Sequence, residues 1–346
     1  MQRAALLSGE HATLPAAELR ALCDVHAPGA TLAVRGLVAH AEAGAGLDAA
    51  LSRMALLFGW GEPWGEADDS PQGLAELADV ARRRTDGVGA AAVVTERRGR
   101  DKSPRAREAE RTLGAALAAA GHAIDLGNPA VVVYAWLLDG RIHVGRRLGV
   151  GGRSAFEARV SDARSHFSPV SLHPRRAASL LHLARVPLRG TVYDPFCGTG
   201  AFVLEAALEG YKVLASDLDS FMVQGTLQTV TDVPPEPLDV EAFVADVGDT
   251  PDLVGLVDGI VTDLPYGRAS STDREDVGAL YGRAFRAFAA LLPEGGHAVV
   301  GHADPALVPD QPAPGLAVVE RHQEYSHKSL TRHFAVVKRV QGVGWP

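Results

Sequence analysis

The chain has 346 residues and lacks the features that mark secreted, membrane or disulfide-rich proteins. Its two cysteines, Cys23 and Cys197, cannot form a disulfide framework or a four-cysteine zinc site, and they suit a reducing cytosol. No run of about eighteen apolar residues is present, so no membrane-spanning helix is predicted. The N-terminus has no basic stretch followed by an apolar one, so no secretory signal is predicted. We therefore expect a cytoplasmic protein.

Several common ligand-binding motifs are also missing. No glycine loop ends in Gly-Lys-Ser or Gly-Lys-Thr, which argues against ATP hydrolysis. The 13 histidines show no His-Glu-x-x-His or comparable ligand spacing, so no metal site is predicted. The glycine turn at Gly198–Gly200 is followed by Val203 where a dinucleotide fingerprint has its third glycine, which argues against NAD and FAD.

The net charge of −8 does not indicate a nucleic-acid-binding protein, but the charges are unevenly distributed. Residues 82–111 contain ten Arg or Lys and five Asp or Glu, and residues 141–185 contain nine Arg and two acids. The resulting local balances of +5 and +7 allow a basic face on an acidic molecule. An ordinary solvated surface explains the same pattern, so charge alone leaves RNA binding open.

The first two blocks of the chain mix strands and helices. In residues 1–65 the apolar spacing predicts elements at 4–7 (strand), 15–23 (helix), 30–41 (strand) and 47–59 (helix). Turn residues at Trp60–Gly65 mark the first boundary. In residues 66–150 the apolar spacing predicts helices at 71–84 and 104–120 and strands at 89–95, 130–138 and 141–148. Asp139-Gly140 predicts a hairpin turn between the last two strands.

From residue 170 the pattern becomes a regular alternation of strand, turn and helix, after a linker over 151–169 and a helix over 172–184. The strands are short and apolar throughout, as strands buried on both faces are. Such alternation predicts a doubly wound α/β sheet of the Rossmann-like type. The predicted strands are 191–193, 213–216, 243–245, 259–262, 298–301, 317–321 and 334–338, and the predicted helices are 201–209, 220–231 and 274–292.

The segment Asp194–Gly200 is typical of a strand that ends in a glycine turn and opens a helix. Gly198 and Gly200 permit a tight turn and let backbone amides approach a ligand, while the helix N-terminus favours a carboxylate. Asp217 ends the next strand at the spacing of a carboxylate that accepts hydrogen bonds from both ribose hydroxyls. Asp246 ends the third strand and is placed to accept from an adenine amino group. Helix capping is the alternative role of such aspartates.

A second segment, Asp263-Leu264-Pro265-Tyr266-Gly267, begins 69 residues after Asp194. The amino group of a nucleobase is a poor nucleophile because its lone pair is delocalised into the ring. The Asp263 carboxylate and the Leu264 carbonyl would each accept one N–H, which exposes the lone pair to a methyl donor, so positioning supplies much of the catalysis. Pro265 fixes φ, and Tyr266 is able to stack on the base. A plain turn with a buried tyrosine is the alternative.

The two segments resemble motifs I and IV of the class I amino methyltransferases. The stretches His166–Pro169, Ser171–Val186 and Ser329–His333 are similar to one tRNA group, which makes N2-methylguanosine at position 10 of tRNA in archaea and eukaryotes. Ile124–Pro129 and the paired strands after it resemble the THUMP domain, an RNA-binding module that binds the acceptor end of tRNA in related enzymes. Over residues 66–346 the chain is thus similar to the THUMP-domain tRNA guanosine-10 N2-methyltransferase family.

The resemblance implies a ferredoxin-like domain over 1–65, THUMP over 66–150 and a seven-stranded class I methyltransferase domain over 170–346. It implies tRNA as the partner and S-adenosylmethionine as the cofactor, needs no metal, and leaves a small activator subunit open. The residues expected to bind the cofactor are Asp194, Phe196, Gly198, Thr199, Gly200, Asp217, Leu218, Asp246 and Val247. Those expected to carry catalysis are Asp263, Leu264, Pro265 and Tyr266. Those expected to contact the substrate are Tyr266, Arg268 and Arg175.

Two positions depart from the family pattern. Leu264 stands where motif IV usually has proline, and Ser168 stands where the family often has histidine, which leaves the exact product open. The alternatives are a methyltransferase of the same build acting on rRNA guanine N2 or adenine N6, and a catalytically silent RNA-binding protein. Cys197 lies within the glycine turn, but the direct transfer that motif IV implies needs no covalent intermediate, so a packing role is expected.

Overall fold

The computed structural model describes residues 1–85, 87, 89–98, 105–160, 172–233, 238–266, 276–327 and 330–341. The chain divides into two compact units, Met1–Gly152 and Arg153–Pro346, each with its own sheet. Among the described helices, none combines the length and the apolar character that crossing a membrane requires.

The first unit is an α+β structure around one eight-stranded sheet. Its elements are β1 (Gln2–Leu7), α1 (Leu14–His26), β2 (Thr31–Arg35), β3 (Val38–Glu42), α2 (Leu47–Arg53), β4 (Leu57–Asp68), α3 (Pro71–Arg84), β5 (Ala90–Arg98), α4 (Ala106–Ala119), β6 (Ala123–Ile124), β7 (Val131–Leu138) and β8 (Arg141–Val150). The strand order is β2-β3-β1-β4-β8-β7-β5-β6. Leu19 and Leu51 of α1 and α2 belong to one buried core, and Leu77 and Leu113 of α3 and α4 belong to another.

Strand β4 overturns the predicted turn at Trp60–Gly65. These residues lie inside β4, which pairs with β1 on one side and with β8 on the other. Gly61 allows β8 to approach β4 closely and does not form a turn, because a Cβ at this position would meet the backbone of Arg146. One sheet therefore continues past residue 65. The assignment of the two N-terminal blocks to ferredoxin-like and THUMP domains stays a prediction.

Two other predicted elements of this unit are divided. The strand predicted over 30–41 is two strands, β2 and β3, joined at Gly36, whose φ of 57° makes the turn. The helix predicted over 47–59 ends at Arg53, and β4 begins at Leu57. The hairpin turn at Asp139-Gly140 is confirmed, with φ values of 48° and 75° at its two residues.

The second unit alternates helices and strands. Its elements are α5 (Arg153–Glu157), α6 (Pro174–Leu183), β9 (Thr191–Asp194), α7 (Ala201–Leu208), β10 (Lys212–Asp217), α8 (Ser220–Thr231), β11 (Val240–Val244), α9 (Thr250–Val254), β12 (Gly259–Asp263), α10 (Val277–Leu291), β13 (His297–His302), β14 (Leu316–His327) and β15 (Leu330–Arg339). The largest core cluster joins Phe285 and Phe288 of α10 to Tyr193 of β9 and Ile260 of β12.

The sheet of the second unit confirms the predicted Rossmann-like α/β class. Its strand order is β11-β10-β9-β12-β13-β15-β14. The strands from β9 to β13 pair in parallel, whereas β15 is antiparallel to β13 and forms a hairpin with β14 that is longer than the predicted strands. The strand order reverses at β9, because β10 lies on one side of it and β12 on the other. Open α/β sheets bind ligands at this switch point, beyond the carboxyl ends of the strands.

Candidate active site

The loop after β9 is a tight turn that leads into α7. Gly198 and Gly200 have φ values of 50° and 80°, in the left-handed region that favours glycine, and Gly200 is the N-cap of α7. Helix α8 braces the turn, because Thr226 Oγ1 donates to the carbonyl of Gly198 at 2.9 Å. Thr229 Oγ1 donates in the same way to the carbonyl of Thr199 at 3.2 Å. Side chains of α8 therefore hold the backbone of the turn in place.

Asp217 at the end of β10 joins this strand to the glycine turn. Its Oδ2 accepts from the amide of Gly198 at 3.0 Å, and its Oδ1 accepts from the amide of Asp219 at 3.0 Å. Burial raises the pKa of the Asp217 carboxyl, and the two amides oppose that rise. Each carboxylate oxygen has a further lone pair, so both are able to accept a hydroxyl as well. The adjacent Leu218 is 51% exposed and offers an apolar surface beside the carboxylate.

Asp194 supports the turn from inside the protein. It is 2% exposed, and its Oδ1 accepts from the hydroxyl of Thr262 at 2.6 Å and from the amide of Phe196 at 3.2 Å. Burial raises the pKa of the Asp194 carboxyl to about 7. These bonds link β9 to β12 and shape the beginning of the turn. A direct contact of Asp194 with a cofactor stays a prediction.

Asp246, after β11, is engaged with a basic side chain. Its Oδ1 accepts from Arg283 of α10 and, at 2.7 Å, from the amide of Gly248. Burial works to raise the pKa of this carboxyl, but the hydrogen bonds from Arg283 and Gly248 and the charge of Arg283 outweigh it and hold the pKa below its ordinary value. The neighbouring Val247 is 3% exposed and its side chain lies in the core. Contacts of Asp246 and Val247 with a cofactor stay predictions.

Asp263 ends β12 and lies between a hydroxyl and a guanidinium. Its Oδ1 accepts from the hydroxyl of Tyr266 at 2.8 Å, and its Oδ2 lies 3.7 Å from Nη1 of Arg332 on β15. Burial raises the pKa of the carboxyl, and the charge of Arg332 and the Tyr266 hydroxyl oppose the rise. Gly301 on β13 leaves room for this carboxylate, because a Cβ at that position would meet it. The side chain of Asp263 is still 28% exposed, so a ligand is able to reach it.

The turn after Asp263 is anchored by backbone and core contacts. The amide of Leu264 donates to the carbonyl of Gly301 at 2.9 Å, and the Leu264 side chain is 1% exposed within the core. The carbonyl of Pro265 accepts from the hydroxyl of Tyr281 on α10 at 3.2 Å. Packing of Leu264 thus restrains the position where the family pattern has a second proline.

The glycine turn and the Asp263 turn lie at one edge of the sheet. Strands β9 and β12 are adjacent and parallel, with Ile260 beside Tyr193 in the register. Their carboxyl ends therefore open in the same direction, and the bond from Thr262 to Asp194 joins them directly below the two turns. A ligand held on one turn is consequently near a group held on the other.

Of the two arginines predicted to contact the substrate, Arg175 lies within the described residues and Arg268 lies outside them. Arg175 on α6 is 2% exposed, and its predicted contact with the substrate stays a prediction. Arg268 lies outside the described residues, as do Gly267 and His166–Pro169.

Cys197 is buried within the glycine turn. It is 5% exposed, and burial followed by the charge of Asp194 raises the pKa of its thiol. Its Sγ lies 3.5 Å from the hydroxyl oxygen of Thr226. A buried, protonated thiol is a poor nucleophile, which agrees with the expected packing role.

Arg332 is the site residue that sequence reasoning misses. The segment Ser329–His333 contributes to the family resemblance, but no spacing rule connects it to Asp263. Arg332 is 7% exposed, and an arginine is almost never fully buried unless a partner balances its charge. The sequence offered one indication that this residue belongs to the site, namely that an arginine lies within a segment similar to the family.

A second group of side chains meets in the first unit. His40 of β3, Glu66 of β4 and His143 of β8 bring potential metal-ligating atoms within 4.8 Å of one another. His143 Nδ1 lies 3.3 Å from Glu66 Oε2, and Glu66 Oε1 accepts from Nη2 of Arg141 at 3.0 Å. The sequence spacing could not reveal this group because its members come from three strands. Arg141 already balances the charge of the Glu66 carboxylate, so an ion pair between these two residues accounts for the position of Glu66. The predicted absence of a metal stays a prediction.

Comparisons with known proteins place this geometry in a family context. The family model described as "RMKL-like, methyltransferase domain" matches residues 161–310. The tRNA (guanine(10)-N2)-dimethyltransferase of Methanothermobacter thermautotrophicus is 33% identical over 238 residues, which cover 68% of this chain and 69% of that protein. The protein of the same name from Pyrococcus abyssi is 29% identical over 240 residues, covering 66% and 68% of the two chains.

Solved structures share the fold at low identity. TrmN from Thermus thermophilus aligns over 98% of this chain and 100% of its own, with a TM-score of 0.55 and 22% identity. A methyltransferase structure described as SMU.472 complexed with SAH aligns over 99% and 98% of the two chains, with a TM-score of 0.53 and 14% identity. These likenesses concern the fold, and they extend over both units of the chain.

Proposed function

The chain belongs to the tRNA (guanine(10)-N2)-dimethyltransferase family, and on this premise we propose that it transfers methyl groups from S-adenosylmethionine to N2 of a guanosine in tRNA. One observation carries the proposal: a rigid glycine turn with Asp217, and the Asp263 carboxylate with Tyr266, lie at the same edge of one sheet. Position 10 is the proposed target, after the names of the relatives.

The chemistry of the glycine turn fits the proposed cofactor. The amides of the turn and the N-terminus of α7 suit the carboxylate of the methionyl part. Asp217 suits the ribose hydroxyls, because both of its oxygens have a lone pair to spare. The exposed side chain of Leu218 suits the flat face of adenine. When bound, S-adenosylmethionine supplies an electrophilic methyl group on a sulfonium sulfur.

The second turn would prepare the guanine amino group. Asp263 accepts one N–H and the carbonyl of Leu264 accepts the other, which draws the nitrogen lone pair out of the ring and points it across the site. The ring of Tyr266 stacks on the base, a contact worth roughly 1–3 kcal/mol by truncation. As the new N–C bond formed, the methyl–sulfur bond would break with its electron pair left on the sulfur, and the proton on N2 would leave along the hydrogen bond to Asp263.

The target guanosine must leave its stack to reach a carboxylate at the end of a strand. Such extrusion costs a few kcal/mol, which contacts elsewhere on the RNA have to offset. The first unit offers charges for this purpose, because Arg82, Arg84, Arg107 and Arg146 are exposed there. Guanidinium groups bind phosphates in bidentate geometry, so we assign the first unit to tRNA binding.

The alternatives predict different products. An enzyme of the same build acting on rRNA guanine N2 or adenine N6 would use the same two turns. A silent RNA-binding protein would have no use for an Asp263 carboxylate with a guanidinium beside it. The names of the relatives favour tRNA and guanine N2 over both alternatives.

Nucleoside analysis tests the proposal. Purified protein is incubated with methyl-labelled S-adenosylmethionine and unmodified transcripts of tRNA or rRNA, and the digested RNA is examined by mass spectrometry. We expect N2-methylguanosine or its dimethylated form in tRNA, and no label in a transcript with adenosine at position 10. Label confined to rRNA, or N6-methyladenosine, would replace the proposal by the first alternative. RNA binding without any label would replace it by the second.

Two variants make the same change from Asp to Asn at different sites, the first as the test and the second as its control. Asp263→Asn removes the charge of the proposed acceptor and should lower methyl transfer by about 100-fold or more while leaving cofactor affinity nearly intact. Asp310→Asn makes the same change at a side chain that is 90% exposed and should transfer at the rate of the unchanged protein.

A further inference from the structure

The proposed function requires Asp263 to be ionised in a place that disfavours ionisation. A neutral carboxyl would lose most of its ability to accept from the guanine amino group. Burial works against the charged form of Asp263, and the buried Asp194 lies on the neighbouring strand. A nearby positive charge is the usual means of keeping such a carboxylate ionised.

Arg332 is the cation that the fold brings to this carboxylate. Strand β15 pairs with β13 from Lys338 to His333, so Arg332 lies one residue past the end of that pairing, on the side where β12 ends. Its side chain is 9% exposed, and Nη1 is 3.7 Å from Oδ2 of Asp263. The residue opposite Arg332 on β14 is Glu324, whose carboxylate contacts Arg176.

We propose that Arg332 is a positioning residue for Asp263: its guanidinium holds the carboxylate in the ionised form and fixes Oδ2, so that Oδ1 faces the amino group to be methylated. The inference rests on the proposed function, because it gives Arg332 a task only if Asp263 accepts from a base.

The two carboxylate oxygens are already divided between two kinds of partner. Oδ2 faces the permanent charge of Arg332, whereas Oδ1 accepts from the neutral hydroxyl of Tyr266 at 2.8 Å. An incoming N–H replaces a hydroxyl donor at modest cost, while replacing the guanidinium would leave a buried cation unbalanced. The division therefore assigns Oδ1 to the substrate.

Among the residues that the structure describes, the other titratable groups around Asp263 do not substitute for Arg332. Asp194 of β9 supplies no positive charge, and Tyr266 and Tyr281 are neutral, with pKa values that burial raises further. On β13, burial lowers the pKa of His302 to about 4, so its ring is neutral near pH 7. His302 stacks with His333 of β15 at 5.6 Å between ring centroids. Arg332 thus carries the compensating charge.

The test compares the pH dependence of the single-turnover rate in two variants of Arg332 and a matched control. Arg332→Gln removes the charge, Arg332→Lys keeps it on a different head group, and Arg321→Gln makes the first change elsewhere on the same hairpin, where the arginine binds Asp310 at 2.7 Å. Single-turnover rates with saturating tRNA and S-adenosylmethionine are measured from about pH 5.5 to 8.5, together with cofactor affinity.

Removing the charge raises the pKa of Asp263, so the acid limb of the rate profile moves to higher pH. We expect a move of about one pH unit for Arg332→Gln and a loss of about tenfold in rate at pH values well below both acid limbs, because there each unit corresponds to a tenfold change in the ionised fraction. Arg332→Lys should move the limb less, in the same direction. Arg321→Gln should leave the profile unchanged, and cofactor affinity should stay within about twofold in all three.

A lower rate with an unmoved acid limb in a folded Arg332 variant would overturn the inference, since a purely structural role lowers the rate equally at every pH. If Arg332→Gln fails to fold, Arg332→Lys decides the matter by the same criterion. If the unchanged protein methylates no guanosine in tRNA, the proposed function is refuted instead. The failure of the Arg332 inference and the failure of the proposed function therefore give different results.

Discussion

The hydroxyl of Thr262 donates a hydrogen bond of 2.6 Å to Oδ1 of Asp194, and this bond joins two adjacent parallel strands directly below the site. Asp194 is 2% exposed, so Thr262 and the amide of Phe196 take the place of water around its carboxyl group. Both donors are uncharged. Burial therefore dominates and raises the pKa of Asp194 to about 7.

Asp194→Asn should flatten the pH dependence of stability between about pH 4, where the unfolded carboxyl titrates, and about pH 7. A carboxyl with a raised pKa binds more protons in the folded state, so its stabilising contribution is complete below the unfolded pKa and is lost as the pH rises through the folded pKa. The slope is about 1.4 kcal/mol per pH unit within this window. Asn retains an oxygen for Thr262 and does not titrate.

Urea unfolding at a series of pH values measures this effect as the difference in unfolding free energy between Asp194→Asn and the unchanged protein. Asp310→Asn is the control, because a side chain that is 90% exposed should leave the pH profile as it was. Parallel profiles for Asp194→Asn and the unchanged protein would show that Asp194 is ionised throughout the range.

Gly200→Ala should weaken cofactor binding by about tenfold, equivalent to about 1.4 kcal/mol. Its φ of 80° is unfavourable for alanine, and the new Cβ would lie 3.2 Å from the side chain of Thr226, so the turn must shift. Gly210→Ala is the matched control, because Gly210 has a φ of 83° with open space around its Cβ position. Both variants should lose about 1–2 kcal/mol of stability, but Gly210→Ala should bind the cofactor normally in calorimetric titration.

Cys197→Ala should retain methyl transfer within about threefold, because a buried thiol with a raised pKa supplies no thiolate. Truncation of a 5% exposed side chain should cost about 1 kcal/mol of stability. Rates and unfolding curves of the variant check both effects. A folded Cys197→Ala protein without activity would point to covalent chemistry at the sulfur.

Tyr266→Ala should lower kcat/KM for tRNA by about 10- to 100-fold, the value of one lost base–aromatic stack. Tyr266→Phe keeps the ring and removes the hydroxyl that donates to Asp263, so it should lose less than about fivefold. Steady-state rates with one tRNA transcript distinguish the two. Equal losses in both variants would mean that the hydroxyl, and not the ring, serves the reaction.

Much of the site was predictable because it consists of short segments. The glycine turn requires left-handed φ values, which Gly198 and Gly200 supply, and their spacing is visible in the chain. The Asp263 turn was equally visible. The alternation of apolar strands with helices indicated a buried parallel sheet, and adjacent carboxyl ends follow from that topology.

The sequence by itself determined the local elements and the chemistry at the ends of the strands, because turns, caps and apolar periodicity depend on residues a few positions apart. Only the tertiary structure decided which distant groups meet: Arg332 with Asp263, His40 with Glu66 and His143, and β4 with two neighbours where a turn was predicted. It also decided that Arg175 is buried. Strand order, register and burial arise from packing of the whole sheet, which no local pattern contains.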